Sequence, residues 1–406
     1  MVRAVLATLC AALLALAGCH APNGPPRPTP ILQPVAPELP TTTRTAIEPD
    51  VSLLPTEPSA APFKRPTEYR RLTADETRRF AIANAPFADD LDRHPENDPP
   101  SHPKVQKNAI ERSEVSRLVR GHAADELRNR AAGEALEQFF KLAEAEGQFD
   151  LLSGAETELR TQLADALKAE TAGFKDRADI PTLRRRLLDL EAQQAKLEAG
   201  IGAINASLRA RLGLPGNDTL PLWPADPLRV KPNDVDIEHA VAIGLQYRPD
   251  LNLLRVLAEG NAGELTEGVL TGLNPLLGKL EPDNLLRLLF APLMRDPKRH
   301  QASANDRVAR ALAARERQAD AEIRAAAVML RGHRAAVAAR ILDVKQVEAK
   351  IAELQTKQKA GLNVTAELTA AKLDLFKAKG DLLSAVIEWH LAEVKLRQAM
   401  GLLVRE

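Results

Sequence analysis

Apolar residues recur at steps of four and three along the C-terminal stretch of the chain. Val364, Leu368, Ala371, Leu375, Ala378, Leu382, Ala385, Trp389, Ala392, Leu396 and Ala399 keep that spacing without a break. A period of about 3.5 is the seam of a coiled coil, and alternating large and small residues on it lets helices approach closely. Subtracting 188 from these numbers lands on a second seam: Ile180, Leu183, Leu187, Leu190, Gln194, Leu197, Ile201, Ile204 and Leu208. Gln194 is its polar exception, and Asp176 and Arg211 are polar at its two ends. Glycine punctuates both copies. Ala172-Gly173 matches Ala360-Gly361, and Gly213-Leu214 matches Gly401-Leu402. A fixed offset with shared end glycines marks an internal repeat.

Each copy follows another helical stretch, one over about 114–171 and one over about 305–359. Val337, Ile341, Val344, Ile351 and Leu354 mark the apolar side of the second. Glycine readily ends a helix, so Ala172-Gly173 and Ala360-Gly361 read as turns, and each copy becomes an antiparallel hairpin. A helix of about 50 residues is roughly 75 Å long. A shorter helix opens each repeat, Leu72 to Asn84 and Val235 to Tyr247, and a proline (Pro86 or Pro249) stops it. The predicted fold is all-α: two repeated long antiparallel helical hairpins of coiled-coil type. The division is 67–214 for the first helical repeat, 215–234 for a Pro-rich link, and 235–402 for the second.

The N-terminal part, up to Pro66, differs. Arg3 precedes an uncharged run from Ala4 to Ala15, closed by Leu16-Ala17-Gly18-Cys19. That reads as a secretory signal peptide over 1–18. The run falls short of the roughly 20 residues needed to span a bilayer. Leu-Ala-Gly-Cys resembles a bacterial lipobox, which implies lipidation of Cys19 and cleavage before it. Cys10 lies in the removed segment, leaving Cys19 as the one mature cysteine and no intramolecular disulfide. In Gram-negative lipoproteins Asp after the cysteine favours the inner membrane, so His20 points to the outer one. Residues 21–66 hold 13 of the 29 prolines, so 19–66 reads as an anchor and extended spacer rather than core.

Composition narrows the function. The 55 basic and 55 acidic residues balance to zero, which gives no support to nucleic-acid binding. Aromatic residues make up 3%, fewer than a globular enzyme core of this size normally holds. The eight histidines include no His-Glu-x-x-His, and no Gly-x-Ser-x-Gly element occurs. No catalytic residue, metal ligand or cofactor is predicted.

The ordered segments Leu208-Arg-Ala-Arg-Leu-Gly-Leu-Pro215, Leu222-Trp-Pro224, Ile237-Glu-His-Ala-Val241, Tyr247-Arg-Pro-Asp-Leu251, Lys359 to Leu368 and Leu396-Arg-Gln-Ala-Met-Gly401 resemble the TolC-type outer-membrane efflux proteins. The resemblance spans about 70–402. It implies a homotrimer with two hairpins per protomer forming a periplasmic tunnel, fed by a periplasmic adaptor and an inner-membrane pump. It places the turns Ala172, Gly173, Ala360 and Gly361 at the adaptor contact or gate. Asp176 and Asp179 either narrow a tunnel mouth as a charged ring or are ordinary acids at a helix start, the reading the dipole favours. Family members insert two strands between opening helix and hairpin. Here those places, 87–113 and 260–304, show no alternating strand pattern, so barrel strands are expected to be reduced or absent. The apolar pieces within 265–294 either pack against hairpin ends or dip into a membrane interface. Two functions follow: a passive efflux or secretion conduit at the outer membrane, or a lipid-anchored periplasmic coiled-coil scaffold that conducts nothing. Either is an outer-membrane lipoprotein with a periplasmic body.

Overall fold

The structure is a computed structural model, and it describes residues 41–42, 68–86, 88–89, 103–172, 180–215, 220–232, 234–259 and 301–405. In chain order the elements are β1 (Thr41–Thr42), β2 (Tyr69–Leu72), α1 (Ala74–Ala83), α2 (Pro103–Thr171), α3 (Ile180–Arg211), β3 (Leu222–Pro224), α4 (Ile237–Tyr247), α5 (Pro249–Glu259), α6 (Gln301–Lys359) and α7 (Thr365–Ala399). The expected all-α class holds. Strands among the described residues have two to four residues each. That is far below the nine or so needed to cross a bilayer. No helix among the described residues is long and apolar enough to cross a membrane.

Helix α2 runs for 69 residues and α6 for 59. At the rise of an α-helix, α2 is about 104 Å long. Both begin earlier than the periodicity suggests, by about eleven residues for α2 and four for α6. Helix α2 thereby takes up the end of the 87–113 segment. Apart from 88–89, the rest of that segment lies outside the described residues, as do the apolar pieces of 265–294, Cys19, Gly173, Asp176 and Asp179.

The opening helices form where expected, and their caps explain why. The Thr73 hydroxyl accepts from the Glu76 N–H at 3.2 Å, and the Glu76 carboxylate accepts from the Thr73 N–H at 2.8 Å. That reciprocal pair is a capping box. Asp236 caps α4 through the His239 N–H at 3.1 Å. Pro249 ends α4 but does not end helix. It is the first residue of α5, where its missing N–H costs nothing.

The four long helices form a row in the order α3, α2, α7, α6, and each packs mainly on its neighbours. The core fills the space between them with Leu136, Phe139, Leu142, Val337, Leu383 and Val386, all at most 3% exposed. Gln194, the polar exception in the α3 seam, donates to Ser153 on α2 at 3.3 Å. The short helices lie across the row. Helix α1 packs on α2, α4 packs on α6, and α5 touches both α2 and α6.

A small sheet joins the linkers. Strand β2 pairs antiparallel with β1 (Thr41↔Arg70) and parallel with β3 (Arg70↔Leu222, Leu72↔Pro224). Tyr69 and Trp223 pack ring to ring at 5.1 Å, both nearly fully buried. The strands are too short for a period-two pattern to register in sequence.

Candidate functional site

Three helix ends close in the same way. At Gly213, Gly361 and Gly401 the backbone turns left-handed, with φ of +66, +84 and +72°. Each turn carries the paired bonds of a Schellman motif. Leu214 N–H donates to the Arg209 carbonyl at 3.1 Å, Leu362 to Lys357 at 3.1 Å and Leu402 to Arg397 at 3.0 Å, each beside a shorter-range bond from the glycine itself. The surroundings differ. Gly361 stands in open space at the tip of the α6–α7 hairpin, next to Leu362, which is 56% exposed. A small core of Leu354, Leu368 and Ala371 closes the helices just behind it. Gly213 and Gly401 instead press on the ends of the opening helices of their own repeats. A Cβ at Gly213 would strike the Asn84 side chain, and one at Gly401 would lie 2.9 Å from the Arg248 Cα. Asn84 also donates to the Leu212 carbonyl at 3.0 Å, and Arg248 to that of Ala399 at 3.0 Å. The repeat therefore extends from the hairpins to the way each hairpin end is held. Of the other predicted turn residues, Ala360 donates to the Thr356 carbonyl at 3.1 Å and Ala172 to that of Lys168 at 3.0 Å.

Among the described residues the two ends of the row are open. Helix α3 buries only Ile201, Asn205 and Leu208, and its outward side shows Leu188, Ala192, Ala195, Ala199, Gly202 and Ala206, all exposed and spaced 4-3-4-3-4. Helix α6 shows Ala321, Ala325, Val328, Gly332, Ala335, Ala339 and Leu342, all exposed and spaced 4-3-4-3-4-3. Leu188, Val328 and Leu342 are 64, 56 and 61% exposed. Isolated exposed apolar residues are common, but two aligned stripes at heptad spacing are surfaces shaped for another helix. Sequence reading misses them because their members are mostly Ala and Gly, which a search for large apolar residues passes over.

Several arginines of α6 pair with neighbouring elements. Arg324 pairs with Glu238 on α4 and with Asp320. Arg334 reaches Asp234 in the inter-repeat linker at 2.6 Å, and Arg340 lies 3.6 Å from Asp381 on α7. These arginines staple the linker, α4 and α7 to α6.

The densest charge cluster sits at the waist. Arg248 grips Asp250 in a two-pronged pair, donating from Nε and Nη2 at 3.0 and 2.9 Å, and its Nη1 reaches Glu322 on α6 at 2.7 Å. Arg315 closes the ring, donating to Asp250 at 2.7 Å and to Glu322 at 3.0 Å. Burial alone would raise the Asp250 pKa. Hydrogen bonds and charge from Arg248, with Arg315 behind them, outweigh it and hold Asp250 at about 2. Arg255 adds a further α5–α6 link to Glu316 at 2.8 Å.

Nothing in this arrangement supplies a nucleophile with a base or a metal-ligand set; among the described residues no three His, Cys, Asp or Glu side chains converge on one point. His390 is buried and stacks on Phe140 at 4.8 Å. Burial pushes its pKa down to about 4 despite the nearby Glu393 charge, so it packs as a neutral ring.

No protein-family model and no curated protein matches the chain. Solved structures do. The outer-membrane channel OprN is 14% identical, with a TM-score of 0.55, over 73% of this chain and 71% of that one. The CmeC outer membrane channel of Campylobacter jejuni is 11% identical, with a TM-score of 0.54, over 73% and 67%. The outer membrane protein VceC of Vibrio cholerae is 13% identical, with a TM-score of 0.53, over 81% and 92%. With its two long hairpins, its end glycines and its cross-lying short helices, the chain has the TolC-like fold of outer-membrane channels.

Proposed function

We propose that the protein is a passive conduit of an envelope efflux or secretion assembly, built from copies of this chain around an axis. The observation that carries this reading is the open row of four helices. Its interior is packed with side chains, so no path runs through one protomer, and a lumen has to lie between protomers. The α6 stripe of one copy fits the α3 stripe of the next. Small residues on both let the backbones approach to about 8 Å. Such a head-to-tail contact makes a ring when its rotation closes. The family resemblance supplies the number three, the adaptor and the inner-membrane pump. It also places the turns near Gly173 and Gly361 at the adaptor or gate, with Leu362 as the exposed apolar contact. Residues 67–214 and 235–402 are the two halves, joined by 215–234.

Cysteine pairs test the ring. Ala335→Cys combined with Ala195→Cys, Ala199→Cys or Gly202→Cys should give disulfide-linked oligomers that end at a closed trimer, with electron microscopy of the acylated protein showing an open axis. Cross-linking by Ala335→Cys alone, which needs an α6–α6 contact, or a stable monomer in mild detergent would sink the conduit. An oligomer with a filled axis would favour the scaffold.

The outer-membrane location rests on the fold, and the lipid on Cys19 is part of the proposal. Cys19→Ser is expected to move the protein from the membrane to the periplasmic fraction. Persistent tight membrane association would point to a second attachment.

A further inference from the structure

Each of the two open helix faces is edged by charges. Asp189 and Lys196 stand along one edge of the α3 face and Glu198 along the other. On α6, Asp343 and Lys350 stand along one edge and Lys345 along the other. All six are exposed or half-buried. Among the described residues, Asp189, Lys196, Glu198, Lys345 and Lys350 form no ion pair within the chain, and Asp343 comes only within 3.7 Å of Arg340. Other charges on the same edges already have partners. Glu191 takes Arg160 at 2.8 Å, Arg331 lies 3.8 Å from Asp234, and Arg324 holds Glu238.

Links inside the chain fix the heights of the two faces. Arg160 on α2 bonds Glu191 on α3 at 2.8 Å, Lys372 on α7 bonds Glu158 on α2 at 2.8 Å, and Arg340 on α6 lies 3.6 Å from Asp381 on α7. Crossing the row by these links sets Glu191 level with Ile351 on α6, to within about one residue, or about 1.5 Å of rise. A ring whose axis runs along the helices keeps that level from copy to copy. Helices α3 and α6 run in opposite directions, one leaving a hairpin tip and the other approaching one. At the matched height the faces mesh layer by layer: Ala199 meets Leu342, Gly202 meets Ala339 and Ala206 meets Ala335. Charges at the edges of such a helix pair meet across the seam and set partner and orientation. Here Asp189 meets Lys350, Lys196 meets Asp343 and Glu198 meets Lys345, each pair of opposite sign. A slide of one heptad, about 10.5 Å, sets Asp189 against Asp343 in one direction and Lys196 against Lys350 in the other.

We propose that these three ion pairs are the code by which the chain selects a second copy of itself, α6 against α3 in this one register. The inference rests on the ring proposed above, which by itself leaves the register open. Each pair lies at an exposed rim and is weak alone. Together they discriminate, because the neighbouring registers bring like charges together while this one brings none. The apolar faces, with Leu188 and Leu342 among their large members, supply the adhesion, and the rim charges supply the choice.

Cross-linking rates of the full acylated chain test it. Ala206→Cys with Ala335→Cys should link copies about tenfold faster than Ala199→Cys with Ala335→Cys, which needs the register one heptad away. Of the three α3 partners given above for Ala335→Cys, Gly202→Cys lies nearest in this register and should link fastest. Lys196→Glu, which sets two acids face to face, should slow the 206–335 link about fivefold. Adding Asp343→Lys reverses both members of that pair and should restore the rate to within about twofold. A fastest link from Ala199→Cys would overturn the register and leave the ring standing. So would a Lys196→Glu chain that links at the original rate, or one that Asp343→Lys does not restore. Failure of every α3–α6 pair to link would remove the ring, and the register with it.

Discussion

Replacing Arg248 with methionine should cost about 3–5 kcal/mol of stability, because it breaks a buried ionic network by removing one partner. The Arg248 side chain is 8% exposed and joins the start of α5, Glu322 on α6 and the Ala399 carbonyl at the end of α7. Without it, Arg315 is left alone against Asp250 and Glu322, and the Ala399 carbonyl loses its donor. Urea denaturation followed by circular dichroism measures the loss, provided unfolding stays cooperative. The sharper expectation is a rescue. Arg248→Met with Asp250→Asn should be more stable than Arg248→Met alone, since Arg315 and Glu322 then balance one to one. If the double variant is the less stable of the two, Arg248 acts through packing of its stem, and the ring is not the source of its effect.

Gly401→Ala should be nearly as damaging. The backbone there sits at φ +72°. Holding an alanine in that left-handed region costs roughly 1–2 kcal/mol. Its Cβ would also lie 2.9 Å from the Arg248 Cα, 2.9 Å from the Pro249 Cδ and 3.1 Å from the Tyr247 carbonyl oxygen. Two of those neighbours are backbone and the third is a proline ring, so none can swing aside. Relief requires α4–α5 to shift away from the end of α7, which pulls on the Arg248 ring. The total is expected to reach about 3 kcal/mol or more, at the upper end of ordinary single substitutions. Gly361→Ala is the matched comparison. It has the same Schellman bonds and a φ of +84°, but open space around it. Only the backbone cost of roughly 1–2 kcal/mol then remains. Equal losses for the two variants would show that the close approach at Gly401 contributes nothing.

These two expectations meet at one place. Ring and glycine both hold the end of the second hairpin to its opening helix. The first repeat does the same job with Asn84 and Gly213 and, among the described residues, without a charge ring, since Ala85 stands where the second repeat has Arg248. The repeats share a frame but differ in how tightly their joints are fastened.

Much of this was legible in the residues before any coordinates. The heptad spacing from Val364 to Ala399, its echo from Ile180 to Leu208 and the glycines Gly213, Gly361 and Gly401 specify two hairpins. Those signals are local: side-chain spacing within a few turns and the left-handed glycine that a Schellman end requires. The caps at Thr73 and Asp236 are local in the same sense, and they too were readable. Helix α5 was hidden because Pro249 reads as a stop, while the same residue suits the first position of a new helix. The strands were hidden because so short a segment carries no period.

What only the tertiary structure decided depends on residues far apart in the chain. The ring joins Arg248 and Asp250 to Arg315, Glu322 and Ala399. No sequence pattern distinguishes those charges from the many that face water on a helix surface. The same holds for the outer stripes of α3 and α6. Their heptad spacing is written in the sequence, but so is that of the buried seams, and periodicity cannot tell an occupied face from an open one. The order of the helices in the row settles that, because it leaves α3 and α6 each with a neighbour on one side only.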